Sequence, residues 1–205
     1  MESVTDLQWQ PSLLGESKQP AVDPAFTGLV RHELDEETWV DDVPGWLAGD
    51  DEVFAWLADQ AGWGQMEITL YGEKKVSPRL VARLPADDLP PPLAEARRLL
   101  SARYDVDFDS VGVNLYRDGR DSVAWHGDRV ARTKPTATVA TLSLGEPRRF
   151  LLRPKGGGRS RSFDLGRGDL LVMGGACQRT WQHAVPKVAS AGPRMSVTFR
   201  HTAYP

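Results

Sequence analysis

This 205-residue chain contains only one cysteine and no long apolar run. Cys177 is the single cysteine, so no disulfide can form within the chain, which fits a reducing compartment. No apolar run approaches the length of a membrane span, and the first residues, Met-Glu-Ser-Val-Thr-Asp, lack the basic and apolar pattern of a secretory signal. We therefore expect a cytoplasmic monomer without membrane contact, in which Cys177 is an inert small residue beside a turn.

Charge is nearly balanced over the whole chain but unevenly distributed along it. The net charge is −3, yet residues 1–70 contain 15 acidic and 2 basic residues, whereas residues 71–205 contain 13 acidic and 23 basic residues. A basic surface is what the binding of phosphates requires. The C-terminal part is therefore a candidate nucleic-acid-binding region, and the acidic N-terminal part is expected to be ordinary solvated surface.

Two helices are predicted in the N-terminal half. Residues 50–60 begin with an acidic cluster, carry an apolar side and are followed by two glycines, as expected of a capped helix. Residues 93–102 follow a run of three prolines and are rich in Ala, Leu and Arg. We divide the chain into an N-terminal extension with a supporting helix (1–67), a middle segment with the second helix (68–109) and a catalytic core (110–205), which together form one functional domain.

Strict alternation of side chains predicts strands in the core segment. The polar stripes are Arg194, Ser196, Thr198 and Arg200 in residues 194–200, Asn114 and Tyr116 in residues 110–116, and His126 and Asp128 in residues 124–128. A half-buried strand with a solvent-facing side would also alternate. Three stripes of chemically capable residues, however, favour a barrel with a polar interior cavity.

Turn residues divide the rest of the core segment into short strands at 138–144, 149–153, 169–173 and 182–186. Their spacing suits a jelly roll. We predict a mainly β fold with supporting helices, namely a double-stranded β-helix (jelly-roll) barrel with an N-terminal α/β extension. On such a fold His126, Asp128 and His183 can meet although they are far apart in sequence.

Two imidazoles and one carboxylate can hold a divalent metal and leave its opposite face open, which is the coordination used by non-haem Fe(II) oxygenases. His126, Asp128 and His183 are the candidate ligands, with His32 and His201 outside the site. A His-x-Asp tripeptide is by itself unspecific, and a lone histidine is more often a hydrogen-bonded structural residue. The downstream arginines add fixed cations for an anionic co-substrate, which favours a 2-oxoglutarate-dependent oxygenase.

The core segment resembles the AlkB family of oxidative dealkylases over roughly residues 68–203. The resemblance rests on Asn114-Leu-Tyr116, His126-Gly-Asp128, the Gly-Asp-Leu-Leu-Val-Met stretch at 168–173, His183, and the two arginines in RMSVTFRHT at 194–202. It implies Fe(II), 2-oxoglutarate and O2 as cofactors, and demethylation of N-alkylated bases such as 1-methyladenine and 3-methylcytosine in DNA, a direct reversal of damage. We expect Arg200 to bind the distal carboxylate of 2-oxoglutarate, and Arg194 to hold the metal-proximal carboxylate, Asp128 or the substrate. Asn114, Tyr116, Ser196 and Thr198 complete the predicted co-substrate site.

The resemblance also suggests residues for the nucleic acid. Residues 68–109 would include a nucleotide-recognition lid, and Leu70-Tyr71-Gly72 resembles the hairpin finger of the members that act on duplex DNA. A plain strand end with a turn would look the same. The other candidates are basic side chains suited to phosphates, Arg79, Arg129, Arg132, Arg159 and Arg161.

Two departures from the family pattern concern the base. Val130 stands where several DNA-repair members have an acidic residue, and residues 81–93 lack an aromatic for stacking. Two alternatives therefore stay open. One is a 2-oxoglutarate oxygenase that acts on RNA, a protein or a small molecule; the other is a non-catalytic damaged-DNA binding module.

Overall fold

The structure, a computed structural model, describes residues 19–70, 73–128 and 135–202, without the side chains of 68–70 and 73–75. The strands are β1 (Ala21–Val22), β2 (Val30–Asp35), β3 (Thr38–Val43), β4 (Leu47–Ala48), β5 (Gly64–Leu70), β6 (Glu73–Leu84), β7 (Ser110–Tyr116), β8 (Val123–His126), β9 (Val139–Gly145), β10 (Arg148–Pro154), β11 (Arg161–Leu165), β12 (Leu170–Gly175), β13 (Trp181–Val185) and β14 (Arg194–Arg200). The helices are α1 (Asp50–Gln60), α2 (Pro91–Tyr104) and the one-turn α3 (Cys177–Thr180).

Most of these strands form two antiparallel sheets. The large sheet has eight strands in the order β2-β3-β12-β9-β14-β7-β6-β5, and the small sheet has four in the order β11-β10-β13-β8. From β7 onward the chain alternates between the two sheets, apart from the β10–β11 hairpin within the small sheet, as expected of a jelly roll. The predicted fold class is confirmed, and strands from all three predicted segments lie side by side in the large sheet.

The large sheet has an apolar face toward the helices. Its opposite face, toward the small sheet, is polar along β14 but carries buried apolar side chains at Val40, Val139, Leu171 and Met173. In β14 the apolar set Met195, Val197 and Phe199 is fully buried in one cluster with side chains of α1 and α2. Alternation along the strand then turns Arg194, Ser196, Thr198 and Arg200 toward the space between the sheets. Burial of each large apolar side chain contributes about 1.5–3 kcal/mol, so the helix-side core holds the strands whose other face carries polar groups.

The boundaries of one helix and two strands agree with the sequence pattern, although the first helix has no side-chain cap at its N-terminus. α1 spans the predicted residues 50–60, and β7 and β14 span the predicted 110–116 and 194–200. α2 is longer than predicted because Pro91 and Pro92 are tolerated in the first turn of a helix. It ends at Asp105, whose left-handed φ of 52° stops the helix.

Several elements were not predicted individually, namely β1–β6, β11 and α3. β5 and β6 form a hairpin in which Leu70 pairs with Glu73, on either side of residues 71 and 72. None of the helices among the described residues has the length and apolar character needed to cross a membrane.

Candidate metal and co-substrate site

The three predicted metal ligands lie together at one end of the small sheet. His183 on β13 pairs directly with His126 on β8, and Asp128 follows two residues later, just after the strand. One ligand atom from each of the three side chains lies within 4.8 Å of the others. Within the described part of the chain, this is the one group of three or more such side chains that is spaced to hold a metal ion.

Asp128 uses its two carboxylate oxygens differently. Oδ2 accepts a hydrogen bond of 2.7 Å from Nε of Arg200, whereas Oδ1 lies 3.8 Å from Nε2 of His126 and 3.8 Å from Nε2 of His183. Burial alone would raise the pKa of Asp128, but the charges of Arg200 and the imidazoles outweigh it and lower the pKa to about 2. The carboxylate is therefore ionised at neutral pH, with Oδ1 directed at the position between the histidines.

Nε2 of each histidine lies at the same distance, 3.8 Å, from Oδ1 of Asp128. Nδ1 of His126 lies 2.8 Å from the carbonyl oxygen of Ala124, which can only accept, so Nδ1 carries the proton and Nε2 is free to bind a metal. His183 is buried and stacks on Phe150 with ring centroids 5.2 Å apart. Burial lowers the pKa of His183 to about 3, so its imidazole is neutral.

Arg194 lies fully buried on the floor of the cavity, with an exposed fraction of 1%. Nη2 donates to Oγ of Ser143 at 2.7 Å, and the guanidinium lies 5.3 Å from the centre of the Tyr116 ring. Nε and Nη1 have no hydrogen-bond partner among the described residues. A buried cation with two unsatisfied N–H groups is costly, and burial lowers the pKa of Arg194 below its ordinary value.

One cavity contains the metal ligands and the polar floor. Its volume of about 60 Å³ accommodates roughly four to six waters at the usual 10–15 Å³ each, or an ion with a small polar molecule. The lining residues are Arg79, Asn114, Tyr116, Val123, His126, Asp128, Thr141, Phe150, Met173, His183, Val185, Arg194, Ser196, Thr198 and Arg200. All six predicted co-substrate residues therefore lie on the cavity wall with the predicted metal ligands.

The positions of the two arginines in the cavity differ from those expected from the sequence. Arg200 was expected to take the distal carboxylate of 2-oxoglutarate, but it donates to Asp128 and lies beside the metal ligands. Arg194 is the arginine with unpartnered donors. Both residues share one strand face, so alternation alone could not decide which of them faces the metal end.

Two hydroxyl residues of the floor were missed. Thr141 and Ser143 on β9 pair with Thr198 and Ser196 of β14; Thr141 lines the cavity, and the fully buried Ser143 accepts the hydrogen bond of Arg194. The alternation of Thr and Ser within Val139–Gly145 carried the signal, but that strand was interpreted only as a member of the barrel.

The predicted nucleic-acid residues fall into three groups. Tyr71, Gly72, Arg129, Arg132 and Val130 lie outside the described residues, and of Leu70 only the backbone is described. Arg79 lies at the cavity, where its Nε donates to Oδ1 of Asn114 at 2.9 Å, while Nδ2 of Asn114 donates to Oγ of Ser196 at 3.2 Å. Arg159 and Arg161 are exposed at the start of β11, away from the cavity lining.

An aromatic–cation pair that was not predicted lies beside these exposed arginines. The guanidinium of Arg153 lies 4.1 Å from the centre of the Trp125 ring. Trp125 precedes His126 on β8, so its side chain projects from the opposite face of the strand. The backbone N–H of Lys155 donates to the carbonyl of Thr180 at 2.8 Å, which places Lys155 next to the exposed Arg179.

The remaining histidines and the cysteine lie outside the metal group, as predicted. The ring of His32 packs against Phe163 at 5.4 Å, and Nε2 of His201 accepts from the amide of Thr138 at 3.1 Å. Cys177 is buried, and burial raises the pKa of its thiol to about 12. A thiol with this pKa is neither a nucleophile nor a metal ligand at neutral pH.

The site fits the metal and co-substrate that its residues suggest. The donor set of two imidazoles and one carboxylate, with ligand atoms within 4.8 Å of one another, matches the two-histidine, one-carboxylate ligands of non-haem iron sites. The guanidinium of Arg194 has two nitrogens, Nε and Nη1, whose N–H groups are free to donate to a carboxylate. Fold and site together define a jelly-roll protein with a two-histidine, one-carboxylate metal site.

The chain belongs to the 2OG-Fe(II) oxygenase superfamily, whose family model matches residues 55–200. It is 32% identical over 160 residues to the alpha-ketoglutarate-dependent dioxygenase alkB homolog 3 of Bos taurus, covering 73% of this chain and 56% of that protein. It is 36% identical over 142 residues to the DNA oxidative demethylase ALKBH2 of Arabidopsis thaliana, covering 56% of this chain and 44% of that protein. The chain spans about half the length of these two relatives.

A solved structure, that of OsALKBH1, has the same fold, with a TM-score of 0.60 and 19% identity over 84% of this chain and 100% of that one. The resemblance to the AlkB family that the sequence motifs indicated is confirmed by these relatives. The implied cofactors of this family are Fe(II), 2-oxoglutarate and O2.

Proposed function

We propose that this protein catalyses Fe(II)- and 2-oxoglutarate-dependent oxidative demethylation of N-alkylated bases in DNA, of the 1-methyladenine and 3-methylcytosine type. The observation that carries the proposal is the cavity in which Oδ1 of Asp128 lies 3.8 Å from both imidazole nitrogens, next to the unpartnered donors of buried Arg194. A protein that only bound damaged DNA would need neither feature.

Different residues of the site bind the metal and the co-substrate. His126, Asp128 and His183 hold the iron, and Arg200 keeps Oδ2 of Asp128 occupied so that only Oδ1 is offered to it. Arg194 binds the distal carboxylate of 2-oxoglutarate with its guanidinium, which Tyr116 and Ser143 hold in place. Asn114, Ser196 and Thr198 line the path between these two ends.

When bound, iron supplies the oxidising chemistry, with 2-oxoglutarate giving two electrons as it loses CO2 and becomes succinate. One atom of O2 enters succinate and the other enters a C–H bond of the substrate methyl group. The resulting N-hydroxymethyl group loses formaldehyde and releases its hydroxyl proton to solvent, and the electrons of the broken C–N bond stay on the ring nitrogen, which neutralises the cationic base. The chain's part is to orient the co-substrate, keep three ligands deprotonated and admit the methyl group at the open side near the partly exposed His126.

Charge on the outer surface supports a nucleic-acid substrate. Arg153, Lys155, Arg159 and Arg161 lie in and around the turn from β10 to β11, and Arg153 contacts Trp125 on the strand that carries His126. The stacked pair of Trp125 and Arg153 adds an aromatic face, which single-stranded nucleic acids use for base stacking. N-alkylated bases of this type block Watson–Crick pairing, which lowers the cost of flipping them out of a duplex.

Release of succinate and formaldehyde from methylated oligonucleotides tests the proposal. Wild type should turn over N-methylated DNA, the His126→Ala and His183→Ala variants should be inactive, and His32→Ala serves as the matched control that keeps activity. Parallel arms with unmethylated DNA and methylated RNA separate the DNA assignment from its alternative. Absence of 2-oxoglutarate turnover with every oligonucleotide would refute the nucleic-acid assignment and favour a protein or small-molecule substrate.

Salt dependence tests the basic surface separately. Each phosphate contact to a single strand contributes about −0.7 to the slope of log affinity against log salt. Replacing Arg159 and Arg161 with alanine should therefore flatten the slope by about 1.4 if both contact phosphates. Arg149→Ala, whose side chain already faces Asp164 at 4.0 Å, is the control. Tyr71→Ala remains the test of the predicted finger, since it should slow duplex repair more than single-strand repair.

A further inference from the structure

Gln178 on α3 makes an unusual pair of contacts behind the metal ligands. Its side chain is buried, with an exposed fraction of 2%, although glutamine is mostly found at the surface. Oε1 accepts a hydrogen bond of 2.9 Å from the backbone N–H of Asp128, and Nε2 donates to Sδ of Met173 at 3.4 Å. The side chain thus spans from the metal motif to a residue that lines the cavity.

The backbone of the metal motif also contacts α3. A Cβ atom added to Gly127 would lie 2.4 Å from the carbonyl oxygen of Gln178, closer than any side chain tolerates. The glycine between the two ligands therefore allows the backbone of the motif to approach the turn of α3. The side-chain and backbone contacts fix the same two segments against each other.

α3 is connected to the other buried ligand through the chain. It ends at Thr180, and β13 begins at Trp181 and carries His183 two residues later. The indole N–H of Trp181 donates to Oδ2 of Asp35 at 2.6 Å, which holds the start of β13 to β2. Gln178 consequently joins the peptide of Asp128 to the segment that leads into His183.

We propose that Gln178 is a positioning residue for the metal site. By accepting the hydrogen bond of the Asp128 amide, it holds the carboxylate of Asp128 at the distance from His183 that a divalent ion requires. The inference rests on the proposed metal-binding role of His126, Asp128 and His183. It predicts that metal affinity depends on the side-chain oxygen of Gln178 as well as on the space it fills.

Titration of the metal-free full chain with Co(II) tests this without turnover. Gln178→Met keeps the length and most of the volume but removes the acceptor, and it should weaken Co(II) binding by a factor of about ten or more, as loss of a ligand-supporting contact usually does. Arg179→Ala, on the exposed side of the same turn, should bind like wild type. The temperature of unfolding of each variant is measured alongside.

Three results would overturn the inference. They are a Co(II) affinity of Gln178→Met within twofold of wild type, a lower unfolding temperature with unchanged affinity, or an equal loss in Arg179→Ala. His126→Ala in the same titration distinguishes a failure of the Gln178 inference from a failure of the proposed metal site, because unchanged Co(II) binding by His126→Ala would refute the metal site itself.

A measurement on the wild type covers the case in which Gln178→Met does not fold. The amide of Asp128 donates to a buried acceptor, so its hydrogen should exchange far more slowly than an exposed amide in an NMR experiment. Exchange of this amide at the rate of a free peptide would overturn the inference.

Discussion

Replacing Arg194 with methionine should weaken co-substrate binding strongly without destabilising the protein. The guanidinium is fully buried and leaves Nε and Nη1 unsatisfied among the described residues. Removing one partner of a buried ion pair costs about 3–5 kcal/mol. At 1.4 kcal/mol per tenfold change, the Kd for 2-oxoglutarate should rise by a factor of roughly one hundred to several thousand.

The free energy of unfolding of Arg194→Met should rise or stay unchanged, although its affinity for 2-oxoglutarate falls. Without 2-oxoglutarate, Arg194 is a buried charge that keeps one hydrogen bond to Ser143. Replacement of buried ionic groups by apolar ones of similar size is often neutral or stabilising. We therefore expect the free energy of unfolding of the metal-free variant to equal or exceed that of wild type.

Calorimetric titration with 2-oxoglutarate in the presence of Mn(II), and urea unfolding without either ligand, measure the two quantities. Arg149→Met, on the exposed outer face of β10, is the control for loss of a positive charge. An affinity of Arg194→Met within threefold of wild type would refute the assignment. If Arg200→Met instead abolished 2-oxoglutarate binding while metal affinity was unchanged, the roles expected from the sequence would be restored.

Three further predictions follow from the site. His183 has a folded-state pKa of about 3, below the unfolded value of about 6.5. Its contribution to stability is therefore present above pH 6.5 and is lost as the pH falls toward 3. Measured by urea unfolding between pH 7 and pH 5, the free energy of unfolding of the metal-free protein should fall by about 2 kcal/mol more than that of His183→Gln. Gly127→Ala should destabilise by about 1–3 kcal/mol and weaken Co(II) binding because of the contact with Gln178, whereas Gly62→Ala, with open space around it, should do neither. Cys177 should react with iodoacetamide at pH 8 only when the protein is unfolded, since burial raises its pKa to about 12; labelling of the native protein at the rate of a free thiol would contradict its burial.

The sequence was sufficient for the parts of the fold that depend on local periodicity. Residues 194–200 alternate so regularly that their strand and its polar face could be predicted exactly, and the capped helix at 50–60 was equally clear. The irregular N-terminal strands were not predicted individually, because β1 and β4 are two residues long and are held by pairing with each other. Such short segments have no period of their own to detect.

For the candidate site too, some features could be predicted from the sequence and others depended on the tertiary structure. Residue type and strand alternation were enough to nominate His126, Asp128 and His183 and the polar stripe of β14. Which arginine faces the metal was decided only by the tertiary structure, because Arg194 and Arg200 share a face and differ in what lies across the cavity. The part played by Gln178 is invisible in the sequence because its 2.9 Å contact joins residues 50 positions apart, and these residues meet only where β8 pairs with β13.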